Sequence, residues 1–218
     1  MSNQNGTVYG LTLLCPILED ERASPSHDLQ IRAYLATLPT GPDSPFAIAP
    51  HTHLARLVVM DDVVYVGAPA CEEHLNSKYL IFEANIDCPP HAVGRSGLDA
   101  YLTGLATAVP RYVDAVWSHC TGYPGTANLP AFLSYMRSCQ IETTFFFAAT
   151  NDKSVTETLK ALQTQRAVAD FIAAHQGKPP AELQREFLAF SRKLNFAPAP
   201  RPGANPAPRD IKTGGRNE

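Results

Sequence analysis

Histidine, arginine and a short row of acidic and amide side chains recur at strand-like spacing in two apolar stretches. The first stretch, HTHLARLVVM, contains His53 and Arg56, and the second, YLIFEANID, contains Glu83, Asn85 and Asp87. Because side chains alternate along a strand, the last three share one face. Histidine is a general base, and arginine stabilises developing oxyanions. On an enclosed face these groups line a substrate cavity, whereas on an open sheet they form an ordinary solvated row.

Arg56 is a charged residue inside an apolar strand, between Leu54 and Val58. A buried guanidinium needs a carboxylate or an anionic ligand, because an unpaired buried charge is very costly. Glu83 and Asp87 are the natural partners. One interpretation is an internal ion pair or an exposed position. The other is an anion clamp for a substrate carboxylate, a propionate or an oxyanion.

His119 ends a predicted strand at the turn sequence WSHCTGYPG and shares a strand face with Trp117. A histidine at a pocket mouth serves as a general base or as an axial haem ligand. The alternative is a histidine hydrogen-bonded to a backbone carbonyl. Tyr123 is expected to close the pocket or to pack on a helix end. Cys120 points away from His119, so a Cys–His nucleophilic pair is not expected.

His51 and His53 form an HxH pair, which on a strand would point both rings at one metal. No third ligand is identifiable, and Pro50 favours a loop conformation for His51. The chain has no GxGxxG, Walker A, GxSxG or HExxH motif. These absences argue against a nucleotide enzyme, a classical hydrolase and a zinc protease.

The composition is that of a globular protein long enough for one large domain. The 218 residues are 44% apolar and 18% charged, and the net charge is −3. The chain has no stripe of basic residues, so we do not expect a nucleic-acid partner. It also has no apolar run long enough to span a membrane. The N-terminal stretch MSNQNGTVYG lacks the pattern of a signal peptide, and five cysteines without a CxxC pair indicate free, mostly buried thiols. We therefore expect a cytoplasmic protein.

Hydrophobic periodicity, caps and turn residues predict alternating strands and helices. The predicted strands cover residues 7–16, 51–60, 78–87, 113–120 and 142–149, with the second and third in the centre of the sheet and an extended approach over 45–50. The predicted helices begin after Ser24 or Ser26, behind a capping box of Ser96 and Asp99, at Leu129, behind a capping box of Ser154 and Glu157, and at Pro180.

This order predicts an α+β fold. The first six elements, β-α-β-β-α-β, match a ferredoxin-like antiparallel sheet with helices on one face. Residues 1–195 are expected to form a single domain with an added strand over 142–149 and C-terminal helices. Residues 196–218 form a Pro- and Gly-rich tail, either mobile or docked on a partner. The bare sheet face is expected to close on a second sheet, either in a homodimer, which we expect, or within a larger chain.

Face assignments follow from the same periodicities. Leu80, Phe82, Ala84, Ile86 and Cys88 should lie beneath the helices, and His53 should share a face with Ala55, Leu57 and Val59. The helix after Ser154 should bury a stripe formed by Val155, Leu159, Leu162, Ala169 and Ile172.

The blocks THLARLVVMDD, YLIFEANID, VDAVWSHCTGYPG and QIETTFFFAATND resemble those of a group of bacterial proteins with an HFAR-type strand, an NFDG-type strand and an HCxGYPG-type turn. The matching positions are His53 to Arg56, Asn85 to Asp87 and His119 to Gly125, and Cys88 replaces the glycine of the pattern. At fold level the chain is also similar to dimeric α+β barrel proteins, which include chlorite dismutases, dye-decolourising peroxidases, haem aldoxime dehydratases and small cofactor-free monooxygenases.

The candidate residues, the resemblances, the bare sheet face and the Pro-rich tail together lead to three functional hypotheses. The first is a haem-dependent oxidoreductase or dehydratase acting on a small organic substrate, in which His119 or His53 ligates iron and Arg56 is the distal cation. The second is a cofactor-free cyclase, isomerase or monooxygenase with His53 or His119 as the base. In both, Glu83, Asn85, Asp87 and Tyr123 contact the substrate. The third is a non-enzymatic binding or assembly protein.

Overall fold

The structure, a computed structural model, describes residues 3–49, 51–63, 74–88, 95–194 and 199–204. The described strands are β1 (Gln4–Asn5), β2 (Val8–Pro16), β3 (Thr52–Met60) and β4 (Tyr79–Asp87). The described helices are α1 (His27–Leu35), α2 (Pro45–Ile48), α3 (Arg95–Ala108), α4 (Pro110–Trp117), α5 (Leu129–Ser138), α6 (Val155–Ala174) and α7 (Pro180–Ser191). The α+β prediction is confirmed.

The strands form an antiparallel sheet in the order β1-β2-β4-β3. β4 pairs with β2 on one side, from Val8 opposite Asp87 to Pro16 opposite Tyr79, and with β3 on the other. β4 is therefore central as predicted, but β3 is an edge strand. Its position matters because an edge strand leaves one side open for a cavity.

One face of β4 lies in the hydrophobic core, as its alternation predicts. Its buried side chains are Leu80, Phe82, Ala84, Ile86 and Cys88, and they share one cluster with Leu98, Leu102 and Leu105 of α3. The Phe82 ring packs 5.7 Å from that of Phe46 and edge-on at 5.4 Å from that of Trp117, between centroids. Burying one such ring stabilises the fold by about 1.5–3 kcal/mol.

The predicted strand over 113–120 is wrong, because this segment is α4 and the turn after it. Val113, Val116 and Trp117 are buried at helical spacing, and Pro110 occupies the first turn, where its missing N–H costs nothing. The apolar residues of VDAVWSHC fit the two-residue repeat of a strand and also the 3.6-residue repeat of a helix, because the stretch is short. The sixth element of the predicted β-α-β-β-α-β order is therefore a helix and not a strand.

The predicted strand over 142–149 is also wrong. Gln140 bridges Leu13 beside β2, but the backbone N–H of Thr143 then donates to the Asn3 side chain instead of entering the ladder. Phe145 and Phe147 are 84% and 70% exposed. The segment follows the edge of β2, part of which β1 already occupies, so its β-propensity is not realised.

Two smaller predictions are wrong, the extended approach over 45–50 and the capping box of Ser96 and Asp99. Residues 45–48 form the short helix α2 instead of an extended approach, and the Ser44 side chain caps it. α3 already includes Ser96, so Ser96 is not its cap, and Asp99 instead accepts two hydrogen bonds from Arg137, both 2.9 Å long.

α6 begins at the predicted capping box, in which Ser154 and Glu157 hydrogen-bond reciprocally, and α7 follows the predicted start at Pro180. The predicted core stripe of α6 is wrong, because no residue of α6 or α7 is buried. Residues 199–204 lie beside the loop before α2, where a Cβ on Gly203 would meet the Gly41 carbonyl oxygen at 2.8 Å. The rest of the predicted tail, most of the 63–76 loop and Cys71 fall outside the described residues.

Candidate functional site

The carboxylate of Asp87 joins two histidines and a helix N-terminus. Asp87 ends β4 and is only 8% exposed. Its Oδ1 lies 2.6 Å from His53 Nε2, and its Oδ2 lies 3.2 Å from His51 Nδ1. The backbone N–H of Val155 donates to both oxygens, at 3.1 and 3.2 Å. We call these four residues the Asp87 cluster.

A β-bulge brings His53 into the cluster. Thr52 pairs with Ile86 and Leu54 pairs with Asn85, so His53 is an extra residue in β3. Thr52 faces the helices, where its hydroxyl lies 3.1 Å from that of Tyr101. Because the bulge interrupts the alternation, His53 reaches Asp87 and does not follow Ala55. The predicted placement of His53 is therefore wrong.

His51 enters the cluster through an unusual backbone conformation. Its φ of 70° is in the left-handed region, which side-chain-bearing residues rarely adopt. Its carbonyl accepts the backbone N–H of Asp87 at 2.9 Å, and its side chain returns to the same residue. Two contacts therefore fix His51 against the end of β4.

Asp87 is held as a carboxylate. Burial alone would raise its pKa, but hydrogen bonds from His53 and His51 and the Val155 N–H together lower the pKa below its ordinary value. Val155 is the first residue of α6, where unpaired N–H groups and the helix dipole favour an anion. A fixed negative charge thus lies against the His53 ring.

Two cavities flank the cluster. One, of about 370 Å³, follows the free edge of β3 and is lined by His53 together with Leu35, Leu38, Phe46, Leu57 and Pro202, among others. The other, of about 380 Å³, has His51, Val155, Leu159 and Pro202 in its wall. Ala47, Thr52 and Pro202 border both, so the two cavities are neighbours.

Arg56 lies away from this site. Its side chain is 63% exposed and pairs with Glu83, directly opposite on β4. The interpretation of Arg56 as a buried guanidinium is wrong, and of the two alternatives the exposed position is confirmed, with Glu83 as the partner. Asn85 faces the same open side of the sheet, so the predicted row divides, with only Asp87 meeting the histidines.

His119 and Tyr123 lie in separate contacts, and neither lines the two cavities. His119 Nδ1 is 2.8 Å from His27 Nδ1. Burial and the charge of His27 lower the pKa of His119. The Tyr123 hydroxyl donates to Asp114 at 2.7 Å, and its ring packs edge-on against Tyr135.

Sequence reasoning missed two parts of the site, the Val155 N–H and the wall at 199–203. It also missed His27 as the partner of His119, away from the site. The capping box at Ser154 placed a helix N-terminus correctly, but nothing in the sequence indicates which carboxylate it meets. His51 was recognised through the HxH pair and interpreted as a loop residue.

The donor atoms decide what the site can hold. His53 Nε2 is committed to Asp87 and is therefore not free to ligate iron. His119 Nδ1 is likewise committed to His27. Within the described ranges, no group of three His, Cys, Asp or Glu side chains is arranged to hold a metal ion. A haem centre stays a prediction.

Comparisons with protein-family models, curated protein sequences and solved structures find no match. Across the described part of the chain, no helix combines the length and apolarity needed to cross a membrane.

Proposed function

We propose that the chain is a cofactor-independent acid–base enzyme for a small organic substrate, with His53 as the catalytic base. The observation that carries this proposal is the 2.6 Å contact between His53 Nε2 and Asp87 Oδ1 in the wall of a cavity. A base that is oriented by a buried carboxylate and borders a substrate-sized space is the usual arrangement for proton transfer.

In this proposal each group has one role. When Nε2–H donates to Asp87, the lone pair is on Nδ1, which accepts a proton from an acidic C–H or O–H of the substrate. Asp87 stabilises the imidazolium that forms, as a positioning residue. His53 then returns the proton to another atom of the substrate. The net result is an isomerisation or cyclisation without a change of oxidation state.

The cavity favours a small, mainly apolar substrate. Its volume of about 370 Å³ is at the lower end of the range for ligand pockets. The described lining residues include no Asp, Glu, Lys or Arg, while Thr40, Ser44 and Thr52 supply hydroxyls. A hydroxyl donor, and not Arg56, is therefore the group that would stabilise an enolate oxygen.

Carbon-acid exchange tests the proposal. Wild-type protein is incubated in D₂O with a panel of small ketones and 1,3-dicarbonyls, and deuterium incorporation is followed by NMR. We expect exchange above buffer for at least one compound, and a loss of about 10²–10⁴-fold in His53→Gln. Asp87→Asn should slow exchange as well, whereas His74→Gln should not, since His74 pairs with Asp62 on the surface. No exchange with any compound, or full exchange by His53→Gln, would contradict the proposal.

The finer fold assignment is also proposed. The run β2-α1-β3-β4-α3 has the order of a ferredoxin-like unit, and residues after α5 follow the outer edge of β2, where a fourth strand would lie. A cytoplasmic homodimer acting without nucleic acid or membrane is consistent with this proposal. Two surfaces offer a way to form such a dimer. One is the open sheet face, which would close as a dimeric barrel, and the other is the hairpin of α6 and α7.

A further inference from the structure

The α6–α7 hairpin carries apolar side chains that no other described part of the chain covers. Neither helix has a buried residue. The exposed large apolar side chains are Leu162 at 43%, Ile172 at 55%, Leu183 at 37%, Phe187 at 46% and Leu188 at 50%. An amphipathic helix normally buries its apolar stripe, and this stripe has no partner among the described residues.

One exposed side of α6 carries no charged residue. At 100° per residue this side is formed by Ala161, Leu162, Gln165, Ala169, Ile172 and Ala173, and the exposed charged residues Glu157 and Asp170 lie on its two flanks. Surface helices usually present charged residues to water. Alanines between larger apolar residues also allow another helix to approach closely. We call these six residues the α6 face.

We propose that a second copy of this chain packs its α6 face on this one about a twofold axis, so that two α6–α7 hairpins form a four-helix bundle. Such an interface is isologous, because the same surface is used by both copies. The hairpin suits self-pairing, since residues 155–191 contain four acidic and four basic residues and do not repel a copy.

The dimensions agree with a modest dimer. α6 has 20 residues and α7 has 12, which correspond to helices about 30 Å and 18 Å long. With helix diameters of about 10 Å, the hairpin offers on the order of 500 Å² per copy, or about 1,000 Å² in total. That area is at the lower limit for a specific interface, so the dimer should dissociate upon dilution.

The open sheet face is the rival surface and suits a copy less well. The Arg56–Glu83 ion pair lies across it. The Phe146 ring covers it at Gly10, where a Cβ would meet that ring at 2.8 Å. Leu54 and Val58, at 54% and 40% exposed, are its exposed large apolar side chains within the described residues.

Sedimentation velocity between about 1 and 100 μM tests which surface pairs. Wild type should shift from dimer to monomer on dilution. Leu162→Glu with Ile172→Glu should raise the dissociation constant at least 100-fold. Ala174→Glu, an exposed position on the opposite side of α6, and Leu54→Glu with Val58→Glu on the sheet should leave it within threefold. A monomeric wild type, or glutamates on α6 that leave the dimer intact, would overturn the proposal.

A cross-link provides a measurement that does not depend on the folding of the glutamate variants. Gln165 is near the middle of α6 on the α6 face, so Gln165→Cys should meet its own copy near the twofold axis and form a covalent dimer on mild oxidation. Ala174→Cys should remain monomeric under the same conditions. Equal cross-linking of the two variants would contradict the twofold packing. None of these outcomes depends on catalysis, so the dimer and the acid–base proposal fail independently.

Discussion

His53 Nε2 lies 2.6 Å from Asp87 Oδ1, although 34 residues separate them in the chain. The contact depends on a charged Asp87, whose pKa is lowered mainly because the histidine hydrogen bonds outweigh the effect of burial. A carboxyl with a lowered folded pKa stabilises the protein above its unfolded pKa of about 3.9, and this contribution is lost as the pH falls through the folded value.

Asp87→Asn should therefore flatten the acid limb of the stability curve. We expect the free energy of unfolding at pH 7 to fall by about 1–3 kcal/mol, because two histidines lose a charged partner. Below pH 4, the free energy of unfolding of Asp87→Asn should also depend less on pH than that of the wild type. Denaturant titrations at several pH values measure both effects. Asp152→Asn, whose side chain is 73% exposed, is the control. An unchanged acid slope in Asp87→Asn would contradict the assignment.

Gly10 and Phe146 are expected to be energetically coupled. A Cβ at position 10 would lie 2.8 Å from the Phe146 ring, so Gly10→Ala should displace that ring and destabilise the protein by about 1–3 kcal/mol. In the Phe146→Ala background the same change should cost much less. A double-mutant cycle on the free energy of unfolding measures the coupling. Phe145→Ala, at an 84% exposed position, should change stability by less than about 0.5 kcal/mol.

His27 should control the titration of His119. The two Nδ1 atoms are 2.8 Å apart, so one must donate and the other accept. Burial first, and then the charge on His27, lower the pKa of His119. The pair therefore stabilises the fold above the unfolded histidine pKa of about 6.5 and loses that contribution as the pH falls through the folded value.

His27→Gln removes the charge but not the burial, so the pKa of His119 should rise part of the way towards its ordinary value. NMR titration of the ring protons measures this shift. His74→Gln provides the comparison, because His74 pairs with Asp62 on the surface. An unmoved His119 midpoint in His27→Gln would rule out the electrostatic contribution of His27.

The parts of the fold that sequence reasoning predicted are those with long, unambiguous patterns. The apolar run of β2 and the alternation of β4 lead directly to their buried faces, since both strands lie against the helices. The eight residues 113–120 fit strand and helix periods equally, so only packing decides. The run FFF at 145–147 has high strand propensity, but β1 already takes part of the neighbouring edge.

The candidate site was predictable in its residue types and not in its geometry. The sequence points to both His53 and Asp87, but strict alternation puts them on opposite faces of the sheet. Only the bulge between Thr52 and Leu54 brings them together. A bulge adds one residue without a distinctive sequence signal. The stripe on α6 was recognised as apolar, yet periodicity does not tell whether the covering surface belongs to the same chain.

The Cys15 thiol is expected to be inert in the folded protein. A hydrogen bond with Cys120 and burial raise the pKa of Cys15 to about 12. At pH 8 its thiolate is then about 10³-fold scarcer than that of an ordinary cysteine. Iodoacetamide labelling followed by mass spectrometry should modify Cys15 only after unfolding in guanidinium. Labelling of native protein at the rate of the unfolded chain would contradict this expectation.

The Arg56–Glu83 pair should contribute little to stability despite its place on two paired strands. The Arg56 side chain is 63% exposed, so water and salt screen the attraction. A double-mutant cycle with Arg56→Met and Glu83→Gln should give a coupling of about 0.2–1 kcal/mol, which falls in 1 M NaCl.

Arg137 and Asp99 form the matched comparison for this cycle. Their side chains are 34% and 32% exposed, and Arg137 Nη1 contacts both carboxylate oxygens at 2.9 Å. Arg137→Met with Asp99→Asn should therefore show the larger coupling and the weaker dependence on salt. If Arg56 and Glu83 instead couple more strongly than this pair, then the open sheet face is shielded from water by something outside the single chain, and the preference for the α6 face as the pairing surface loses its support.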